Sequence, residues 1–442
     1  MNNKNSISIT LIATLILSLL IATPSMALRN QDTTSNWTRE HVSKIEMNKD
    51  NTAPKLNGDE LEKITPDLHV WDTWPLRNRD GSIATINGYK IIFSLTAPSD
   101  LLPGKRHDVA EIRYFYSKDG KDWKLGGKVF NEGEALGTRQ WAGSSMYDNG
   151  KLHMFYTATG RKNDDKLTYE QRLATSSADL VVNKDGIEFR NWSPHKIMLE
   201  PDGEYYQTRE QALSGEGGYA FRDPWYYKDS KTGEEYILFE ANSAGTLEER
   251  ELKDEYIGSD EYSQDNDIPE GAKRANGSVG IAKINNGDFT NLTTLPPILE
   301  SNYVNEELER PHIVNKGNKY YLFVDTHISK YAEGITGPEG LYGFVSDSLH
   351  GEYKPLNDSG LVLANPTDNP YQAYSWVVMP NGKVISFLNY YDLDGLSVSE
   401  IGNMSSEYQF NHFGGTLAKT LKLSIRGDRT KVITDLQQGR IK

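Results

Sequence analysis

Five times along the chain, a turn is followed by a lysine or a polar stand-in and then by apolar, β-prone residues ending near a phenylalanine. The first three copies are Gly88-Tyr89-Lys90-Ile91-Ile92-Phe93, Gly150-Lys151-Leu152-His153-Met154-Phe155 and Glu235-Tyr236-Ile237-Leu238-Phe239. The last two are Asn318-Lys319-Tyr320-Tyr321-Leu322-Phe323 and Gly382-Lys383-Val384-Ile385-Ser386-Phe387. Most are followed by a second strand-turn-strand unit, as in 112–129, 279–299 and 341–363, with Gly-Asp, Asn-Gly and Asp-Gly turns between strands. No long helical periodicity intervenes. Copies of a four-stranded unit set around a ring make a β-propeller, and five copies make five blades. A β-sandwich also shows regular strands and turns, but it gives no reason for one pattern to return five times at blade-sized spacing. The expected fold class is all-β, a five-bladed β-propeller with a funnel-shaped central site.

The propeller is expected over residues 65–442. Ahead of it, Lys4 precedes an apolar run from Ile7 to Ala22, and Pro24 leads into the small-x-small site Ser25-Met26-Ala27. That layout reads as a secretory signal peptide over 1–27, cut after Ala27, which makes the protein secreted and its mature form free of the membrane. The competing reading is an uncleaved anchor, since the run is nearly long enough to span. Residues 28–64 read as a polar extension with a short helix around Trp37 to Ile45, packed on the outside of the ring. The stretch Glu248 to Glu270 holds ten Asp or Glu residues against Arg250 and Lys253. It reads as a solvated insertion in the third blade, with a calcium loop as the sharper alternative.

Charge and composition narrow the function. A formal net charge of −14 repels nucleic acid and anionic membranes. The absence of cysteine excludes thiol catalysis, Cys-ligated zinc and disulfides. The chain carries 25 Tyr, 8 Trp and 13 Phe, enough for aromatic platforms against sugar rings as well as for core packing. Gly215-Glu216-Gly217-Gly218-Tyr219-Ala220 matches Gly-x-Gly-x-x-Ala, but without βαβ context it is no dinucleotide site.

Three carboxylate motifs each precede a copy of the repeat: Val70-Trp71-Asp72-Thr73-Trp74-Pro75-Leu76, Phe221-Arg222-Asp223-Pro224 and Glu307-Leu308-Glu309-Arg310-Pro311. If the repeated segment is the second strand of each blade, Asp72, Trp141, Asp223, Glu309 and Tyr374 fall at equivalent positions on the innermost strands and face one channel. Two carboxylates about 5–5.5 Å apart support a double displacement at a sugar carbon with retention, and a third can hold sugar hydroxyls. Whichever of such a pair acts as the acid needs a proton, which burial and a neighbouring carboxylate favour, while its partner must stay ionised.

With these motifs the chain resembles the levansucrase group, glycoside hydrolase family 68, from near Val70 to the C-terminus. The resemblance implies attack on sucrose at the fructosyl C2, with sucrose and fructan acceptors as partners and no cofactor. It makes Asp72 the nucleophile, Glu309 the acid/base and Asp223 the transition-state stabiliser. It places Trp71 and Trp141 as walls of the fructosyl pocket, with Arg222, Glu307, Arg310, Ser144 and Tyr374 also binding substrate. His327, in Asp325-Thr326-His327, is implied to contact the acceptor and influence polymer length. His327 and Ala142 are features of the Gram-negative members. The calcium pattern of Gram-positive members is not recognisable, Gly217 standing about where an Asp ligand would be, so no required metal is expected. Family members differ in whether they make β-2,6 levan or β-2,1 inulin, or release free fructose as a hydrolytic β-fructosidase. A propeller that only binds fructans would normally lack one of the acids. A monomer is expected.

Overall fold

The computed structural model describes residues 34–184, 186–214 and 218–442. Among the described residues, twenty-five strands form five sheets ordered around a central channel. The first blade runs Leu68–Pro75, Lys90–Pro98, Glu111–Ser117 and Lys124–Lys128 from the axis outward. The other four open on Arg139–Asp148, Phe221–Lys228, Glu309–Lys316 and Ala373–Val378. Each repeated segment is the second strand of its blade, as the spacing predicts. Five separate sheets rule out a sandwich.

Composition explains why these strands form. Second strands are buried over almost their whole length, and Glu235–Asn242 is buried at every position. They are accordingly runs of β-branched and aromatic residues instead of an alternating pattern. Hairpins at Asn87-Gly88, Asn149-Gly150 and Asn286-Gly287 place both central residues at positive φ. That geometry matches the right-handed twist of the flanking strands and is open to Asn-Gly at little steric cost.

The extension is an integral part of the ring's outer surface. Ser35–Asn36 pairs in parallel with Leu299–Glu300 on the third blade's edge. A helix follows over Arg39–Ser43, capped by the Thr38 side chain. It is shorter than the expected span because Trp37 is taken into the core, wholly buried against Tyr342, Phe344 and Tyr331, with its Nε1 donating to the Ser359 carbonyl at 2.9 Å. Ala53 N–H then donates to the Ala364 carbonyl in the fourth blade, and Val432 N–H of the fifth donates to the Asp50 carbonyl. The ring closes at the other terminus: Ile441 N–H donates to the Gly120 carbonyl at 2.9 Å, and Trp123 Nε1 donates to the Gly439 carbonyl at 3.0 Å.

The acidic stretch lies between the second and third strands of the third blade, in short helices at Asp254–Ile257 and Asp260–Asp265. Most of it faces solvent, while Tyr256 and Ile257 are buried and the Ser259 N–H donates to Glu40. The signal segment 1–27 and the Gly215-Glu216-Gly217 run lie outside the described residues. Among the described residues, no helix is long and apolar enough to cross a membrane.

Trp37 anchors the extension, so Trp37→Ala should cost about 3–5 kcal/mol through the lost burial and the cavity left behind. Chemical unfolding of the two proteins measures this, and a loss below about 1 kcal/mol would mean the extension is not part of the core.

Candidate active site

Every innermost strand is interrupted by a one-residue bulge, and the bulges carry the chemistry. Register slips occur between Trp71 and Trp74, Trp141 and Gly143, Arg222 and Trp225, Glu309 and His312, and Tyr374 and Val377. In four of them the residue after the slip begins has positive φ: Asp72, Asp223, Arg310 and Ser375. A bulge bends the strand and re-aims a side chain, here toward the channel. This refines the expected alignment by one position. Asp72 and Asp223 occupy the left-handed site, whereas Glu309, Trp141 and Tyr374 sit one residue earlier, beside the equivalents of Trp71 and Arg222.

Four inner strands and their flanking loops bring Asp72, Asp223, Glu309, Glu307, Arg222, Trp141 and His327 onto one cavity of about 330 Å³, whereas the expected Tyr374 and Arg310 are buried behind its walls. Arg222 is its electrostatic centre. The guanidinium lies 2.8 Å from Glu240, 3.4 Å from Glu307, 3.6 Å from Glu309 and 4.0 Å from Asp223. Asp223 is further placed by its neighbour blade, its N–H donating to Thr157 Oγ1 at 2.9 Å. Burial together with the Glu309 charge outweighs Arg222 and pushes the Asp223 carboxyl up to about 7.

Arg310 serves the opposite wall. Only 4% exposed, it donates to the Ser375 hydroxyl and to the Thr73 carbonyl at 3.3 and 3.4 Å, tying the fourth blade to the fifth and first. Asp72 faces this pair and Arg106. Burial still raises its carboxyl, against the pull of Arg310, the Ser375 hydroxyl and Arg106.

Glu309 behaves differently from expectation. Burial pushes it up, but the Arg222 charge, the His327 charge and a Tyr374 hydrogen bond together hold it below the usual glutamate range. The ordering inferred from sequence is thus reversed, because the cations face Glu309 more closely than Asp72. His327 is itself kept charged. Burial disfavours the charge, yet Glu339 at 3.0 Å, Glu307 and Glu309 outweigh it and lift the ring to about 9. Its ring stacks on Tyr374 at 3.7 Å between centroids, and the Tyr374 hydroxyl donates to Glu307 at 3.1 Å.

The aromatic wall is built in two layers. Trp141 lines the cavity, and its Nε1 donates to the His107 carbonyl at 3.1 Å. His107 also lines the cavity and meets both Trp71 and Trp141 edge-on at 5.4 and 6.0 Å. Trp71 is fully buried and supports His107 from behind. Ser144 does not reach the cavity either. Its hydroxyl donates to the Pro224 carbonyl at 2.8 Å and accepts from the Tyr226 N–H at 2.9 Å, so it fixes the strand that bears Asp223.

Sequence reasoning missed Glu240, Asp325, Glu339 and His107. Glu240 and Asp325 stand directly across the ladder from Arg222 and Glu309. Both are fully buried, and burial raises both well above the carboxylate range. Their signal was legible: each follows the repeated phenylalanine by one or two residues, on a strand otherwise apolar, where an acid is costly unless partnered. Two acid groupings could in principle hold a cation, Glu307–Glu309–His327 and Asp223–Glu240–Glu309. The Arg222 guanidinium already supplies positive charge to both.

Comparison with known proteins places this geometry. A family model described as levansucrase/invertase, of glycoside hydrolase family 68, matches residues 26–442. The chain is 34% identical over 428 residues to levansucrase LscB of Pseudomonas savastanoi pv. glycinea, covering 92% of each chain. It is 35% identical over 401 residues to an extracellular sucrase of Zymomonas mobilis, covering 90% of this chain and 92% of that one. Among solved structures, an inulosucrase from Halalkalicoccus jeotgali bound to kestose superposes with a TM-score of 0.84 at 48% identity, covering 92% of this chain and 97% of that one.

The pairing of His327 with Glu339 gives a direct check. In protein labelled with 13C-histidine, the His327 ring should titrate with a midpoint near 9, and Glu339→Gln should lower it by about one unit or more. A midpoint near 6.5 in both proteins would refute the charged ring.

Proposed function

The chain belongs to glycoside hydrolase family 68, the levansucrase/invertase family, and from that premise we propose that it is a secreted levansucrase. The reading rests on one observation above all: Asp72, Asp223 and Glu309 reach a single cavity from three separate blades, around Arg222. In the first half-reaction Asp72 attacks the fructosyl C2 of sucrose, the bond to the glucosyl oxygen breaks, and Glu309 gives that oxygen its proton. Asp223 accepts hydrogen bonds from fructosyl hydroxyls and stabilises the cationic transition state. In the second half-reaction Glu309 takes the proton of an acceptor hydroxyl, whose oxygen displaces Asp72 from C2. Two inversions give retention. The acceptor is a growing β-2,6 fructan, an oligosaccharide or water.

Glu309 needs a proton to begin, yet Arg222 and His327 oppose it. Sucrose filling the cavity expels water and strengthens the burial effect, while its hydroxyls compete with Glu309 for Arg222, and both changes raise the acid's affinity for a proton. His327, which lines the cavity beside Glu307 and stacks on the buried Tyr374, is the group offered to an acceptor. Secretion, with cleavage after Ala27, is supported by the signal-like N-terminus and by the name of the Zymomonas relative. The 48% identity to a kestose-bound inulosucrase favours a second reading, a β-2,1 fructan product made by the same acids. A largely hydrolytic β-fructofuranosidase needs no different machinery.

A sucrose assay that reports glucose and fructose separately, with NMR of the product, decides among these. Excess glucose with β-2,6 linkages is expected; β-2,1 linkages would make the enzyme an inulosucrase, and equal glucose and fructose a hydrolase. Asp72→Asn should lower glucose release on the order of 10⁴-fold or more, and near-normal turnover would remove Asp72 from the nucleophile role. Replacing His327 by Ala takes a positive charge from beside Glu309, so the Glu309 carboxyl should rise. The basic limb of the kcat/KM profile should then move to higher pH, with shorter products; an unmoved limb and unchanged lengths would detach His327 from both roles.

A further inference from the structure

The central channel has a second end. Beyond the acid site, the far ends of four of the inner strands line a separate cavity of about 140 Å³. Its walls include Pro75, Trp225, Ile313 and Val377, and a loop at 80–83 caps it. Arg77, the second residue past the first blade's inner strand, reaches this cavity while only 5% exposed. The guanidinium lies 3.7 Å over the Trp225 ring, and Nη2 donates to the Tyr226 carbonyl at 2.8 Å. Its Nε is buried without a partner. No described carboxylate pairs with it. Asp80 also lines the cavity, but its carboxylate accepts the N–H and hydroxyl of Ser82 at 3.0 and 2.6 Å.

A guanidinium buried without an anion is an expensive arrangement. Burial draws Arg77 down to about 9, with only the Tyr226 phenol opposing it. Lys228 adds a second positive side chain to the walls. We propose that this cavity binds one small monovalent inorganic anion, of the chloride class, against the Arg77 guanidinium. The space is too small and its walls too apolar to repay the dehydration of a divalent oxyanion or an organic carboxylate. The bound anion would join the segment leaving the Asp72 strand to Trp225, two residues past Asp223, and so brace two of the three acid-bearing strands from below. The inference is independent of which sugar product the enzyme makes.

Two measurements on the full protein test it. Crystals soaked in sodium bromide should show an anomalous peak in contact with Arg77; a map with water alone there would overturn the proposal. In solution, chloride titrated at constant ionic strength against gluconate, which is too large to enter, should raise Tm by about 2 °C. The rise should vanish in Arg77→Met, which keeps the stem and removes the charge. If that variant does not fold, the bromide map and the chloride–gluconate difference on the unaltered protein still decide. A bromide peak with no chloride effect on Tm would mean an adventitious ion only, and would also overturn the proposal.

Discussion

The charge on Arg222 is the constraint around which this site is assembled. Glu240, Glu307, Glu309 and Asp223 converge on it within 4.0 Å, and Asp72, Asp325 and Glu339 lie further out in the same buried region. Such crowding is tolerable only if cations are interleaved or protons are retained. Both occur. Arg222, Arg310, Arg106 and the charged His327 divide the acids among them, and burial keeps protons on Glu240 and Asp325 to unusually high pH. The acids therefore titrate as a set, and the proton that one of them must donate belongs to the whole network.

The bulges explain how a channel lined by backbone becomes a site lined by side chains. A regular inner strand would point alternate residues up and down the sheet faces. One extra residue held at positive φ turns Asp72 and Asp223 inward, at a conformation that Asp tolerates better than most residues. Arg310 and Ser375 have less intrinsic excuse for that backbone, and their mutual hydrogen bond accounts for the strain being retained. Ser144 and Thr157 do similar work from the second blade, locking the strand that carries Asp223.

Much of this was legible before any coordinates. The recurring phenylalanine run marks a strand buried on both faces, so its count is the blade count, and the acids stand out because each motif precedes one copy. Other features were hidden for definite reasons. Glu240 and Asp325 act across the ladder from the motifs, so only register reveals their partners. The low position of Glu309 depends on Arg222 and His327 approaching from other blades. Trp71 and Ser144 show the limit of reading a role from a neighbouring motif, since both support the site from behind its walls.

The fastening of Ile441 to Gly120 has a consequence for how the molecule comes into being. The first blade comes early in the sequence, but the turn between its third and fourth strands is fastened by Gly439 and Ile441, and the N-terminal extension is fastened to blades three to five. Contacts this distant in sequence fold slowly, so closing this ring is the step that sets the pace at which the acids from separate blades first meet.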